Sequence, residues 1–244
     1  MATESGDEQP FTLRLLDAFD LAVDGGTAPL SRAGRRLVAF VALSEKPVDR
    51  HRLAGTLWPE SPEQAALALL RTTLWRLDRQ APGVVVSTPT TVRMNELVEV
   101  DLRLMRSVAS QLIRGSASVD QAAADMLVSS RELLPDWSED WVLPERERFR
   151  QLRLHALEQL CRQLVAEGKH GLAIEAGMAA VAEEPLRESA RKVLIAAFLA
   201  EGNPSEAIRE LARYRRTVVD ELGVEPALTL ESRGTGFVLL PDSM

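Results

Sequence analysis

One cysteine in 244 residues excludes an internal disulfide. Cys161 has Leu160 and Leu164 as neighbours and reads as a small buried hydrophobe, which suits reducing intracellular conditions. Histidine is almost as scarce. His51, His155 and His170 are scattered, and none has a second metal-ligand residue at workable spacing. No Gly-rich phosphate loop follows a strand, and no Ser/His/Asp set is present. No catalytic residue, metal or cofactor is therefore expected, and the chain does not read as an enzyme. Long apolar runs are missing too: nothing approaches the roughly 20 residues needed to cross a bilayer. The opening MATESGDEQP carries acids and no base, unlike a signal peptide. Residues 1–10 are expected to be a disordered tail, the location cytoplasmic, and no membrane a partner.

What is present suits two ordinary domains, each large enough to bury a core. The net charge of −7 argues superficially against a polyanionic partner, yet its distribution is uneven. Ser31 to Asn95 holds ten Lys/Arg against five Asp/Glu, whereas Met105 to the end holds 17 against 22. Such asymmetry bears on electrostatic steering more than the total does.

The positive segment contains the most informative stretch, Leu70 to Arg79. At 100° per residue, Leu70, Thr73, Leu74 and Leu77 fall on one face of a helix, and Arg71, Thr72, Trp75, Arg76 and Arg79 on the other. An apolar back with an arginine-lined front is suited to lie against nucleic acid. Trp75 has two readings, one facing DNA and one covering the neighbouring structure. Asp78 opposes phosphate unless it pairs with an arginine or accepts from a cytosine amino group.

Around that helix the pattern predicts a small antiparallel sheet over Phe11–Leu30, turning at Asp24-Gly25-Gly26. A helix capped by Ser31 runs to about Ser44, and a short one capped by Asp49 ends near Trp58-Pro59. The long helix spans about Glu63 to Arg79. Two β-branched runs, Val84–Ser87 and Thr91–Met94, then form a hairpin, with a further run at Leu97–Val100. Sheet, three helices and hairpin is the order of a winged helix-turn-helix, in which the second helix of the motif enters the major groove. Arg93 is the hairpin's available cation.

From Asp101 onward the pattern is almost wholly helical. Leu164-Val165-Ala166-Glu167-Gly168 recurs as Phe198-Leu199-Ala200-Glu201-Gly202, and Ala173-Ile174 as Ala207-Ile208. The offset of 34 residues from Leu164 to Phe198 is the tetratricopeptide period. A weaker third unit falls around Leu112–Gly115 with Ala122 and Ala123. Trp137 and Trp141, flanking Glu139-Asp140, are expected to plug the repeat core. The fold class is thus an α+β N-terminal winged helix-turn-helix (11–104) followed by an all-α tetratricopeptide-like repeat domain (105–226) and a C-terminal tail (227–244).

This arrangement resembles the Streptomyces antibiotic regulatory proteins, which join an OmpR/PhoB-type winged helix to a bacterial transcriptional activator domain. Arg50 to Pro59, Leu70 to Leu77, Glu99-Val100-Asp101-Leu102 and, most specifically, Glu221-Leu222-Gly223-Val224-Glu225-Pro226 carry the resemblance. It implies an activator of secondary-metabolite (antibiotic) biosynthesis that binds direct repeats near the promoter −35 region. The implied partners are double-stranded promoter DNA, RNA polymerase holoenzyme with its sigma factor, and further copies of the chain as tandem protomers. By position the DNA-binding set is Arg50, Arg52, Arg71, Thr72, Trp75, Arg76, Arg79 and Arg93, and the polymerase contact Trp58, Glu60 and Ser61. Leu70 and Asp78 depart from the family's usual residues, and Ser232 to Phe237 does not resemble its closing helix. The alternative is a protein-interaction adaptor whose winged helix no longer reads DNA.

Overall fold

The computed structural model describes residues 11–115, 120–129, 132–233 and 236–240. The N-terminal stretch read as a tail lies outside them. The chain divides into two compact units, with boundaries after Leu104, Ser130 and Glu147. The segment from Arg131 to Glu147 thus groups with the N-terminal unit. The sequence pattern divides the winged-helix domain from the repeat domain at a single point, after residue 104.

The first unit begins with β1 (Phe11–Arg14), β2 (Asp20–Val23) and β3 (Gly26–Thr27). The β1 and β2 strands pair antiparallel, and the β2–β3 turn holds Asp24 at φ 47° and Gly25 at φ 78°, a backbone that glycine adopts without steric cost. Helix α1 (Arg32–Leu43) starts where the Ser31 hydroxyl accepts from the Gly34 N–H at 3.2 Å. Strand β4 (Val48–Asp49) leads into α2 (Arg50–Leu57), whose first turn is capped by the Asp49 carboxylate. Helix α3 (Glu63–Gln80) follows, then β5 (Val85–Ser87), β6 (Thr91–Met94) and β7 (Val98–Val100). The β5–β6 hairpin takes β4 as a third strand, in the order β4-β6-β5. The β7 strand instead pairs parallel with β1, completing the sheet β3-β2-β1-β7. Leu13, Leu21, Leu37, Leu53, Leu57 and Leu70 are fully buried in this unit.

Asp101 ties the ends of this sheet together. Its carboxylate accepts from the backbone N–H of Leu15 and Leu16 at 3.0 Å and of Leu102 at 2.6 Å. Burial pushes its pKa above the ordinary carboxylate value, against the pull of those three donors. Asp101→Ala strips three part-buried donors of their acceptor and is expected to cost about 2–4 kcal/mol. Asp101→Asn, which keeps one acceptor oxygen, falls between the two. Urea unfolding of the full chain checks this, and a loss below about 0.5 kcal/mol for the alanine variant contradicts it.

Trp137 and Trp141 do not plug the repeat. Trp137 stacks on Phe19 (5.7 Å between ring centres), and Trp141 meets Phe40 edge-on at 5.1 Å. The backbone follows: Leu134 N–H donates to the Leu15 carbonyl at 2.9 Å, and Asp17 N–H to that of Glu132 at 2.7 Å. Two large apolar surfaces find their cover on the N-terminal aromatics.

The second unit is built from most of α4 (Asp101–Arg114), α5 (Gln121–Ser129), the bulk of α6 (Leu143–Ala166), α7 (His170–Glu183), α8 (Glu188–Ala200) and α9 (Pro204–Leu222). The 34-residue echo is physical. Gly168 (φ 73°) and Gly202 (φ 84°) turn left-handed after α6 and α8. Lys169 N–H bonds the Leu164 carbonyl, and 34 residues on Asn203 N–H bonds that of Phe198, both at 2.9 Å. These are paired helix C-terminal closures of the same type. Ala173 and Ala207 are both fully buried. At the third, weaker unit Gly115 is left-handed, but Ala122 is exposed and Ala124 is the buried alanine. Gly177 lets α7 close on α8, since a Cβ there would lie 3.1 Å from the Leu194 Cα.

Charge is buried in this unit. Arg191 and Glu210 are each 4% exposed and paired, with Arg213 on the second carboxylate oxygen. Glu158 accepts from Arg187 at 2.6 Å and from the Ser189 hydroxyl at 2.7 Å. Cys161 donates its S–H to the Val193 carbonyl at 3.4 Å, and burial pushes its thiol up to about 12, so it is inert.

The described residues after Pro226 do not form a tail, and the unit is not all-α. Strands β8 (Thr229–Arg233) and β9 (Gly236–Leu240) pair antiparallel as a hairpin. Leu228, just ahead of it, is buried against Ile195, Leu211, Tyr214 and Val218. The helical periodicity that ends at Gly223 gives way to five-residue strands. No described helix is long and apolar enough to cross a membrane.

Candidate nucleic-acid interface

Helix α3 is held from behind. Leu70, Thr73, Leu74 and Leu77 are buried, which fixes the rotation of the helix about its own axis. Arg71, Thr72, Trp75, Arg76 and Arg79 are all exposed on the opposite side. Trp75 is 59% exposed and carries the Arg79 guanidinium 5.0 Å from its ring centre. Of its two readings, the structure leaves it open to solvent. A cation over the indole face stiffens both side chains in place. Arg71, Arg76 and Asp78 have no ion-pair partner among the described residues. Asp78 sits at the margin of the exposed face, beside Leu74.

The face continues toward the helix N-terminus with a different character. Ala65, Ala68 and Leu69 share the arc of Thr72, Trp75 and Arg79 and are exposed, Leu69 by 42%. The stretch from Leu70 to Arg79 leaves them out. The same 100° projection, started at Glu63, would have found them.

Neighbouring elements orient α3. Trp58 N–H closes α2 on the Ala54 carbonyl at 3.0 Å, and Ser61 N–H bonds the Trp58 carbonyl at 3.1 Å, making the turn between the helices. In that turn Glu60 is exposed, while Trp58 and Ser61 are half-buried. His51 Nδ1 lies 2.6 Å from the Glu63 carboxylate, linking the starts of α2 and α3. At the hairpin tip, Thr88 Oγ1 accepts from the Thr91 N–H at 2.9 Å, and Arg50 N–H donates to the Thr90 carbonyl at 2.9 Å. The tip is thereby joined to the start of α2, where Arg52 is exposed and Arg50 half-buried.

Arg93 differs from the α3 arginines. Its Nη1 donates to Glu96 at 3.2 Å and to the Met94 carbonyl at 3.3 Å, so its charge is matched locally. The free cations of the candidate face belong to α3 and α2 rather than to the hairpin. An exposed arc of guanidinium, indole and hydroxyl groups on a rigid helix can donate to phosphate and to the acceptor edges of bases. Among the described residues no group of three or more His, Cys, Asp or Glu could hold a metal ion.

Comparison with known proteins fits this arrangement. The bacterial transcriptional activator domain profile matches residues 111–235, just over half of the chain. Regulatory protein AfsR of Streptomyces coelicolor is 33% identical over 218 residues, covering 83% of this chain and 22% of AfsR. Regulatory protein DnrI of Streptomyces peucetius is 25% identical over 224 residues, covering 83% of this chain and 82% of DnrI. The chain spans about a fifth of the length of the AfsR proteins it matches. The structure of Mycobacterium tuberculosis EmbR in complex with a low affinity phosphopeptide has the same fold, with a TM-score of 0.70 at 21% identity over 89% of this chain and 62% of the EmbR chain. On these matches the protein belongs to the bacterial transcriptional activator domain family, within the Streptomyces antibiotic regulatory protein group of transcriptional regulators.

Proposed function

We propose that this protein activates transcription of a secondary-metabolite gene cluster by binding promoter DNA through α3. In this reading the first unit is a winged helix of OmpR/PhoB type. The α2–turn–α3 segment is its helix-turn-helix and the β5–β6 hairpin its wing. The observation that carries the reading is the unpartnered arginine face of α3, fixed outward by the buried Leu70, Leu74 and Leu77.

Arg71, Arg76 and Arg79 supply phosphate contacts and one or two base-edge pairs, with Arg50 and Arg52 on the flanking backbone. Ala65, Ala68 and Leu69 face the groove as apolar surface, suited to thymine methyl groups. The second unit, read as tetratricopeptide-like from its 34-residue repeat, holds protein partners. Tandem copies on direct repeats near the −35 region raise each other's effective concentration. The turn carrying Trp58, Glu60 and Ser61 meets RNA polymerase holoenzyme, sigma factor included.

A mobility shift on DNA upstream of the protein's own gene tests the reading. Binding that weakens steeply with salt supports it. No binding at low salt, together with recovery of a protein partner, would support the adaptor reading that the net charge and Asp78 motivate. Asp78→Asn removes an exposed carboxylate from the edge of the face. It is expected to tighten DNA binding about threefold at low salt, with the gain vanishing at high salt. Looser binding instead would assign Asp78 to a cytosine.

A further inference from the structure

The first unit contains a cleft that the DNA reading does not use. Its volume is about 510 Å³, within the range of small-molecule sites, and none of its lining residues comes from α3 or the hairpin. One wall is aromatic: Phe19 and Trp137 stack at 5.7 Å, with Leu30 and Leu134 beside them. The other is the N-terminal half of α1, which presents Arg32 and, one turn on, Arg35 and Arg36.

These guanidiniums are not all spent. Arg36 pairs with Glu139 at 3.1 Å, and Arg32 reaches the same carboxylate only at 3.9 Å, with 87% of its side chain exposed. Arg35 gives one N–H to the Phe19 carbonyl at 3.1 Å and lies 4.9 Å from the Phe19 ring centre. Of five guanidinium donors that uses one. Asp136 and Glu139 also line the cleft, so three cations meet two carboxylates. The positive end of the α1 dipole adds to the same sign.

We propose that this cleft binds a small aromatic anion, its ring against Phe19 and Trp137 and its carboxylate or comparable acid group held by Arg35 and Arg32. The faces of Phe19 are taken by Trp137 and by Arg35, so a planar ligand ring meets the edges of the two rings in an edge-to-face contact, while the planar guanidinium fork matches a carboxylate. A neutral ring would leave the arginine donors unused. A bare inorganic anion would leave the aromatic wall uncovered.

The test uses the full chain with two probes of one shape, 1-naphthoate and the uncharged 1-naphthalenemethanol, followed by calorimetry and saturation-transfer NMR. Wild type is expected to hold the carboxylate about tenfold more tightly than the alcohol, a charge-assisted bond's worth of discrimination. Arg32→Gln, on an almost fully exposed side chain, leaves folding intact and weakens naphthoate about threefold. The Arg32→Gln, Arg35→Gln pair removes the preference altogether, whereas Arg216→Gln on the exposed face of α9 changes nothing. Phe19→Leu weakens both probes together. Equal affinity for the two probes, naphthoate binding unchanged in the double variant, or no binding of either probe would each overturn the proposal.

Discussion

Replacing Arg71, Arg76 and Arg79 together by alanine is expected to lower promoter affinity about 10²- to 10³-fold at physiological salt. Each is exposed, so each is free to contact a phosphate or a base edge. At about 1–1.4 kcal/mol net for each solvent-exposed contact, three of them give about 3–4 kcal/mol, which is that range. Salt dependence separates this loss from misfolding. Each neutralised phosphate contributes about −0.9 to the slope of log affinity against log salt, so the triple variant is expected to flatten it by up to about 2.7. Folding stability stays within about 0.5 kcal/mol of wild type, because exposed side chains away from special features carry little of it. Arg93→Ala is the informative contrast. Its guanidinium is already matched by Glu96, so its removal is expected to change affinity and slope far less. A triple variant that binds with unchanged slope would place the DNA contact elsewhere.

A large stability effect is also expected in the second unit, at Arg191. Arg191→Leu leaves the Glu210 carboxylate buried with one of its two arginines gone. Removing one partner of a buried ion pair costs about 3–5 kcal/mol, and the remaining Arg213 holds the loss near about 3. The Pro185 carbonyl, which accepts from Arg191 Nε at 3.3 Å, and the Tyr214 ring, 5.6 Å from its guanidinium, lose their partner as well. Arg191→Leu with Glu210→Leu is expected to recover most of the loss, since no uncompensated charge remains. Urea unfolding of the three variants decides it. A double variant less stable than the single would show that the pair contributes net stability here.

Sequence pattern disclosed some of these features and concealed others for identifiable reasons. The two faces of α3 followed from spacing alone, because a helix at a domain surface must bury one stripe and leave the rest open. Caps at Ser31 and Asp49 were legible because each short polar side chain precedes a helical run with free N–H groups. The 34-residue echo was legible because the same glycine turn occurs twice. The parallel pairing of β7 with β1 was not, since a three-residue strand carries no mark of its distant partner. Trp137 and Trp141 advertised burial without saying against what, and Phe19 and Phe40 lie more than a hundred residues earlier in the chain. Arg191 carries no mark in the sequence that separates it from a surface charge on a helix. Its partner left a clue: Glu210 interrupts the buried stripe Ala207, Leu211, Tyr214, Val218 at helical spacing. At the candidate interface, Arg93 was read as free because Glu96, three residues on, was not weighed against it.

The central claim is that the exposed face of α3 lies within a DNA groove, and local cleavage tests it most directly. Thr72→Cys places a reactive thiol on that face, while the native Cys161 is buried and inert, so an iron–EDTA label attaches selectively. The labelled full chain is bound to duplexes that wild type has selected from a random library, and radical cleavage is then triggered. The account predicts cuts confined to a few base pairs on both strands, facing one major groove in each half-site. Cleavage no stronger or more focused than that from a label at Ala212→Cys, on the exposed face of α9, would contradict it.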